Sequence, residues 1–163
     1  MLRYALIYVL LLGALFALET TPGGQEFTTS SWTEFLARGS AFLMQRIDPR
    51  VVAEGSLIKN METGYSVAIL AGCNGVEASI ILAAAIIPFP CSVGSKLLGI
   101  VGGVAAIQAA NLLRIVTLFY LGEWSDSAFM VAHLYIWPAL IILDALIIFL
   151  LWMRWQASRI RTA

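Results

Sequence analysis

Apolar residues in this chain come in four runs, at 4–18, 76–89, 97–120 and 128–155. A membrane-spanning helix needs about 20 apolar residues, with a range of roughly 17–25. The third and fourth runs meet that length. The first two fall short of it, so their ends are expected in the headgroup region. The pattern predicts an all-α integral membrane protein, a bundle of four transmembrane helices forming one domain over residues 1–163. The first run also looks like the core of a signal peptide. Leu15 fits poorly before a cut after Ala17, so an uncleaved anchor is expected.

The 19–72 segment has a different rhythm. Thr20–Thr21–Pro22–Gly23–Gly24 is a run of helix breakers. Ser31 followed by Glu34 has capping-box spacing. Beyond it Trp32, Phe35, Leu36, Phe42, Leu43 and Ile47 recur at helical intervals, up to the Asp48–Pro49 stop. An amphipathic helix is expected there, either lying on the outer leaflet or packed on the bundle. Leu57–Lys59 and Tyr65–Leu70, joined by Glu62–Thr63–Gly64, predict a short β-hairpin.

Composition and charge then set the class and the orientation. The chain is 60% hydrophobic and 12% charged, against about 25% charged in soluble domains. No basic patch with interleaved aromatics suggests a nucleic-acid partner; membrane lipid is the expected surrounding. Arg3, Lys96, Arg154, Arg159 and Arg161 flank the runs on one side. Glu19, Glu26, Asp48, Glu54, Glu62, Glu123 and Asp126 collect on the other. By the positive-inside rule both termini are expected in the cytoplasm, with 19–72 and the 122–126 turn outside. Cys73 and Cys91 then sit at opposite ends of the second helix, roughly 25 Å apart, too far for a disulfide. Cys91 is expected to be an inert thiol.

Arg114 lies within the third apolar run. Its guanidinium keeps its charge, and placing it at a helix centre costs about 2.5–3.5 kcal/mol. Gly99, Gly103, Ala106, Ala110 and Arg114 form one stripe of mostly small residues, which turns the arginine into the bundle. Asn111 shares that face. An ion pair holding the bundle and a functional site are both open readings.

Cys73 precedes the second helix in a glycine-flanked turn. Asn74 is a natural N-cap, with Glu77 at the third helical position. A helix N-terminus stabilises a thiolate, although a cysteine is equally at home as a small buried apolar residue. Glu77 can cap the helix, partner Arg114, or both. His133 heads a stripe with Trp137, Leu140 and Asp144, and Pro138 is expected to kink that helix or mark its effective start. A histidine at this depth can also be a plain interfacial polar group. Taken together, thiol, imidazole and guanidinium reach one outer level from three helices, which is equipment for thiol acyl transfer. No Cys/His cluster of the kind that binds metal is present, and no cofactor is expected.

At these residues the chain resembles the exosortase/archaeosortase family of membrane cysteine transpeptidases. The resemblance rests on Cys73–Asn74–Gly75, on Asn111–Leu112–Leu113–Arg114 and on His133 at the start of a later helix, in that order. It covers about residues 55–152. Many members have more helices and a Cys-Ser-Gly turn. The compact form here, with Cys-Asn-Gly-Val-Glu-Ala, is similar to the short, exosortase H-like subtype. The resemblance implies catalytic roles for Cys73, Arg114 and His133, with Asn74, Glu77, Asn111 and Trp137 in support. It implies a substrate exported with a C-terminal sorting tail of motif, transmembrane helix and basic cluster. Cleavage would give a thioacyl intermediate, resolved by an amine, a lipid-linked acceptor or water. It further implies a bacterial inner-membrane location with the site on the periplasmic side. The competing reading is a non-enzymatic membrane protein, a transporter subunit or assembly factor, with a structural network of Arg114, Glu77 and Asp144.

Overall fold

The computed structural model describes residues 2–161, and side chains through Ser158. Arg159 and Arg161, counted above among the basic flanking residues, lie outside the described side chains. Helix α1 (Leu2–Glu19) is followed by α2 (Pro22–Glu26), a π-helical turn (Phe27–Ser31) and α3 (Trp32–Met44). Three strands follow: β1 (Val51–Glu54), β2 (Leu57–Asn60) and β3 (Ser66–Ala68). The chain ends in α4 (Val76–Ile86), α5 (Val93–Trp124), α6 (Asp126–Val131), a second π-helical turn (Ala132–Ile136) and α7 (Trp137–Arg161).

Three helical runs are long and apolar enough to cross a membrane: Leu2–Glu19, Val93–Trp124 and Asp126–Ser158. The expected fourth span is shorter than predicted. Helix α4 has 11 residues, a length of about 16 Å, well under the roughly 30 Å of a bilayer core. Pro88 and Pro90 stop it at one end, and the Gly72–Gly75 turn precedes the other.

Helix α5 is the spine. Its buried line runs through Ser95, Gly99, Gly103, Ile107, Asn111, Arg114, Leu118 and Gly122. The predicted stripe was displaced at Ala106, which is exposed, and Ala110, which is half-buried. Steps of four residues drift slowly around a 3.6-residue helix and carry the seam through Ile107 and Asn111 instead. The glycines set how close the neighbours come. A Cβ on Gly99 would lie 2.6 Å from Cδ1 of Trp152, and one on Gly103 would collide with Leu82 of α4. Trp152 is held in place by its Nε1–H, which donates to the Ser95 carbonyl at 3.1 Å.

Charge is sorted as the sequence implies. Tyr4 donates to the Ala85 carbonyl at 2.7 Å, and Lys96 to the Ile87 carbonyl at 2.5 Å, so α1 starts where α4 ends. At the opposite end Glu123 accepts from Asn60 Nδ2 at 2.9 Å and Thr63 Oγ1 at 2.5 Å. Those bonds moor an antiparallel sheet, ordered β1-β2-β3, to the last turn of α5. The predicted hairpin is β2–β3, with Lys59 opposite Ser66. Strand β1, not foreseen, pairs Glu54 with Leu57 across a tight turn at Gly55 (φ 59°).

The helix preceding the sheet differs from expectation in two ways. Ser31 is helical itself and caps nothing, and Glu34 instead faces Arg38 at 3.5 Å. The helical path restarts earlier, at Thr21, whose Oγ1 accepts from Gly24 N–H. Thr29 and Thr33 then bond back to carbonyls four residues earlier, each at 2.6 Å, as the helix widens into a π turn. Helix α3 packs on the bundle, through Thr33, Leu36, Ala37, Ser40, Ala41 and Met44. Of the predicted apolar face only Leu36 is buried. Phe35, Phe42, Leu43 and Ile47 are exposed, because small side chains allow the closer approach to β1 and α5.

The Gly99 contact is testable. Gly99→Ala forces the Trp152 indole off the Ser95 carbonyl and should destabilise the protein by about 1–3 kcal/mol, the usual cost of overpacking. Thermal unfolding in detergent will read this as a lowered midpoint. An unchanged midpoint would mean that α5 and α7 are not held at this distance.

Candidate active site

The thiol is positioned by a turn bounded by two glycines, Gly72 and Gly75. Gly72 (φ 81°) and Gly75 (φ 75°) both occupy the left-handed region, where other residues are strained. Gly75 also lies against the amide end of Gln108 of α5, which a Cβ would meet at 2.9 Å. Gly75, rather than Asn74, takes the N-cap position of α4, so Glu77 is the second helical residue and the capping box does not form. Asn74 does more than cap. It is fully buried; its Oδ1 accepts from Val76 N–H at 3.1 Å and its Nδ2 donates to the Thr28 carbonyl at 2.9 Å. Its own carbonyl accepts from Trp32 Nε1 at 3.2 Å. The cysteine turn is thereby bolted to the π turn and to α3.

Arg114 meets that turn. Its Nη2 donates to Cys73 Sγ at 3.4 Å, and the residue is only 5% exposed. Among the described residues Arg114 makes no ion pair with any carboxylate, and its Nε is buried without a partner. The sulfur is therefore the side-chain contact that the guanidinium makes.

His133 sits in the π turn Ala132–Ile136. Pro138 has no N–H to return to the Leu134 carbonyl, and its ring crowds that carbonyl. The helix widens at this point, and Trp137 N–H bonds to the Ala132 carbonyl. Such bulges are frequent at functional sites. The imidazole stacks on Phe129 at 5.3 Å with an interplanar angle of 9°. Its Nδ1 is buried and unpartnered, and the Arg114 charge acts on the ring.

Cys73, Arg114 and His133 line one cavity of about 490 Å³. Its other walls are strand β3 with its flanks, residues 65–70, and Ile115, Leu118, Asp126, Phe129 and Met130. Burial, with Asp126 and Glu123 nearby, pushes the Tyr65 phenol above its ordinary range, so it remains a donor. The supporting residues divide. Asn111 is fully buried one turn from Arg114, with both amide atoms unpartnered. Trp137 packs beside Leu118 and Ala132 and does not line the cavity. Glu77 makes no ion pair with Arg114 and lines a second, lateral cavity with Tyr4 and Tyr8.

Sequence reasoning did not find Phe129, Asp126 or the β3 wall. Phe129 was legible in principle, one turn before His133 on the same face. The β3 wall was not, because it depends on how the sheet docks.

One measurement isolates the Arg114–Cys73 contact. Arg114→Gln should slow iodoacetamide alkylation of Cys73 at neutral pH roughly tenfold or more, the scale of one charge-assisted hydrogen bond. Mass spectrometry can follow Cys73 with Cys91 as internal reference. Equal rates in the two proteins would remove Arg114 from any role at the sulfur.

The family model described as transmembrane exosortase matches residues 2–153 of the 163-residue chain. No curated protein and no solved structure matches it.

Proposed function

The chain belongs to the transmembrane exosortase family, and from that premise we propose that it is a membrane cysteine transpeptidase acting on exported proteins with a C-terminal sorting tail. The observation that carries this reading is a buried arginine with no carboxylate partner, spending a hydrogen bond on a cysteine sulfur. The competing structural network would need Arg114 paired with Glu77 or Asp144. Among the described residues neither forms an ion pair with it.

Cys73 gives its proton to His133 and attacks the scissile carbonyl as a thiolate. The C–O electron pair moves onto oxygen, and Arg114 offsets that charge. The tetrahedral intermediate collapses as the C–N bond breaks, and His133 protonates the departing amine. The new C-terminus stays on Cys73 as a thioester, while the fragment carrying the membrane anchor leaves. An amine, a lipid-linked acceptor or water then attacks the thioester, loses its proton to His133 and frees the thiolate. Asn74 fixes the nucleophile's turn. Asn111, beside Arg114, contributes a neutral amide to the polar lining.

The charge sorting supports a topology with both termini in the cytoplasm and the cavity facing outward, in a bacterial inner membrane. Arg3, Lys96 and Arg154 stand at one end of the chain's spans and Glu19, Glu123 and Asp126 at the other. A substrate arriving amino end outward would bring its sorting motif to that side.

The decisive test uses Cys73→Ala. It should abolish processing of a tailed substrate while the protein still accumulates in membranes, and Cys73→Ser should leave at most a trace. Continued processing by Cys73→Ala sinks the proposal. The mass of the mature substrate C-terminus then separates transfer to an acceptor from simple hydrolysis.

A further inference from the structure

Strand β3 is the edge of its sheet. Its pairing with β2 is framed by Asn60 N–H to the Tyr65 carbonyl and Ile69 N–H to the Ser56 carbonyl, both 2.9 Å. In an antiparallel pair, successive residues direct their backbone groups alternately toward the partner and away from it. Tyr65, Val67 and Ile69 therefore bond to β2, and Ser66 and Ala68 direct their N–H and C=O groups off the edge. No bond among the described residues takes up those groups.

The position of that edge gives it meaning. A cavity on one face of a strand touches alternate residues. The cavity that holds Cys73 is lined by every residue from Tyr65 to Leu70, so it runs along the edge itself. The far wall is helical, formed by Asp126, Phe129, Met130 and His133. The slot is open to a single extended chain. Residues 66–70 cover about 13 Å at the strand rise of roughly 3.3 Å, enough for about four residues.

The geometry points to β3 as a template on which the substrate peptide adds as a fourth strand, its backbone bonded to Ser66 and Ala68. This rests on the transpeptidase reading of the same cavity. The bound segment is the part N-terminal to the scissile bond, which stays on the enzyme as the acyl group. It runs parallel to β3, because both chains proceed toward Cys73. The substrate's following residues continue past the thiol toward the membrane. Recognition is then largely of main chain, and substrate residues at alternate positions contribute little beyond shape.

The test uses chloromethyl ketones on the full-length protein in detergent. The Cys73 sulfur displaces chloride from the reagent and forms a thioether, with the thiol proton lost to buffer. Acetyl-tetra-alanyl chloromethyl ketone should alkylate Cys73 roughly tenfold or more faster than the acetyl-alanyl reagent, the increment of two to three backbone hydrogen bonds. N-methylation of single residues in the longer reagent should abolish that advantage at every second position and spare the others. Ala68→Pro removes an outward N–H and no bond to β2. It should remove the advantage of the longer reagent while iodoacetamide alkylation stays unchanged.

Equal rates for the short and long reagents, or no alternation in the N-methyl series, overturn the edge-strand assignment and leave Cys73 as nucleophile intact. The N-methyl series decides the matter on the unaltered protein if Ala68→Pro fails to fold. Normal substrate processing by Cys73→Ala would instead mark the transpeptidase reading itself as the failure.

Discussion

A guanidinium that cannot shed its charge must be solvated by whatever surrounds it, and in this protein the rest of the site is organised around that requirement. Arg114 is buried in a helix long and apolar enough to cross a membrane, and among the described residues it forms no ion pair with a carboxylate. A carboxylate would have neutralised it more simply, and Glu77 is close in sequence to the cysteine turn. The chain directs Glu77 elsewhere and leaves the cation facing sulfur. An ion pair would satisfy the arginine permanently. In place of an ion pair, the guanidinium donates to the Cys73 sulfur.

That contact holds only if the sulfur cannot move away. Two left-handed glycines, the buried Asn74 amide and the contact between Gly75 and Gln108 all act on the same four-residue turn, Gly72–Gly75. The imidazole is held by a different device. Pro138 interrupts the hydrogen-bond ladder, the helix widens to a π turn, and Phe129 supports the ring from one turn away. Each group is fixed locally by its own element, and α5 sets the spacing between the elements. Its glycine-lined seam lets α4 and α7 approach closely.

Much of this was legible from residue order. The Cys73 turn, the inward Arg114 and the shared end of the bundle follow from helix spacing and charge sorting, because a membrane restricts the folds open to a chain. Periodicity grouped the large apolar residues of α3 on one face and left open whether lipid or the bundle covers it; in the structure Phe35 and Phe42 are exposed and Ala37, Ser40 and Ala41 are buried. Near lipid, apolar character does not mark the interior; small size does. Strand β1 was missed because Val51–Glu54 has no pattern of its own and is defined by its pairing with β2. Asn74 and Glu77 were each shifted by one helical position, since Gly75 takes the cap.

The shortness of α4 is what ties fold to chemistry. Helix α5 is about 48 Å long, α4 about 16 Å, and Arg114 lies about 15 Å below the end of α5 at Trp124. A fourth helix of full length would have carried Cys73 toward the level of Trp124, away from Arg114. Ending α4 early brings the thiol down to the arginine. It also leaves room above α4 that α3 and the sheet fill, and the slot beside β3 is part of that filling. The departure from the predicted four-span bundle is therefore what brings the cysteine turn to the depth of Arg114.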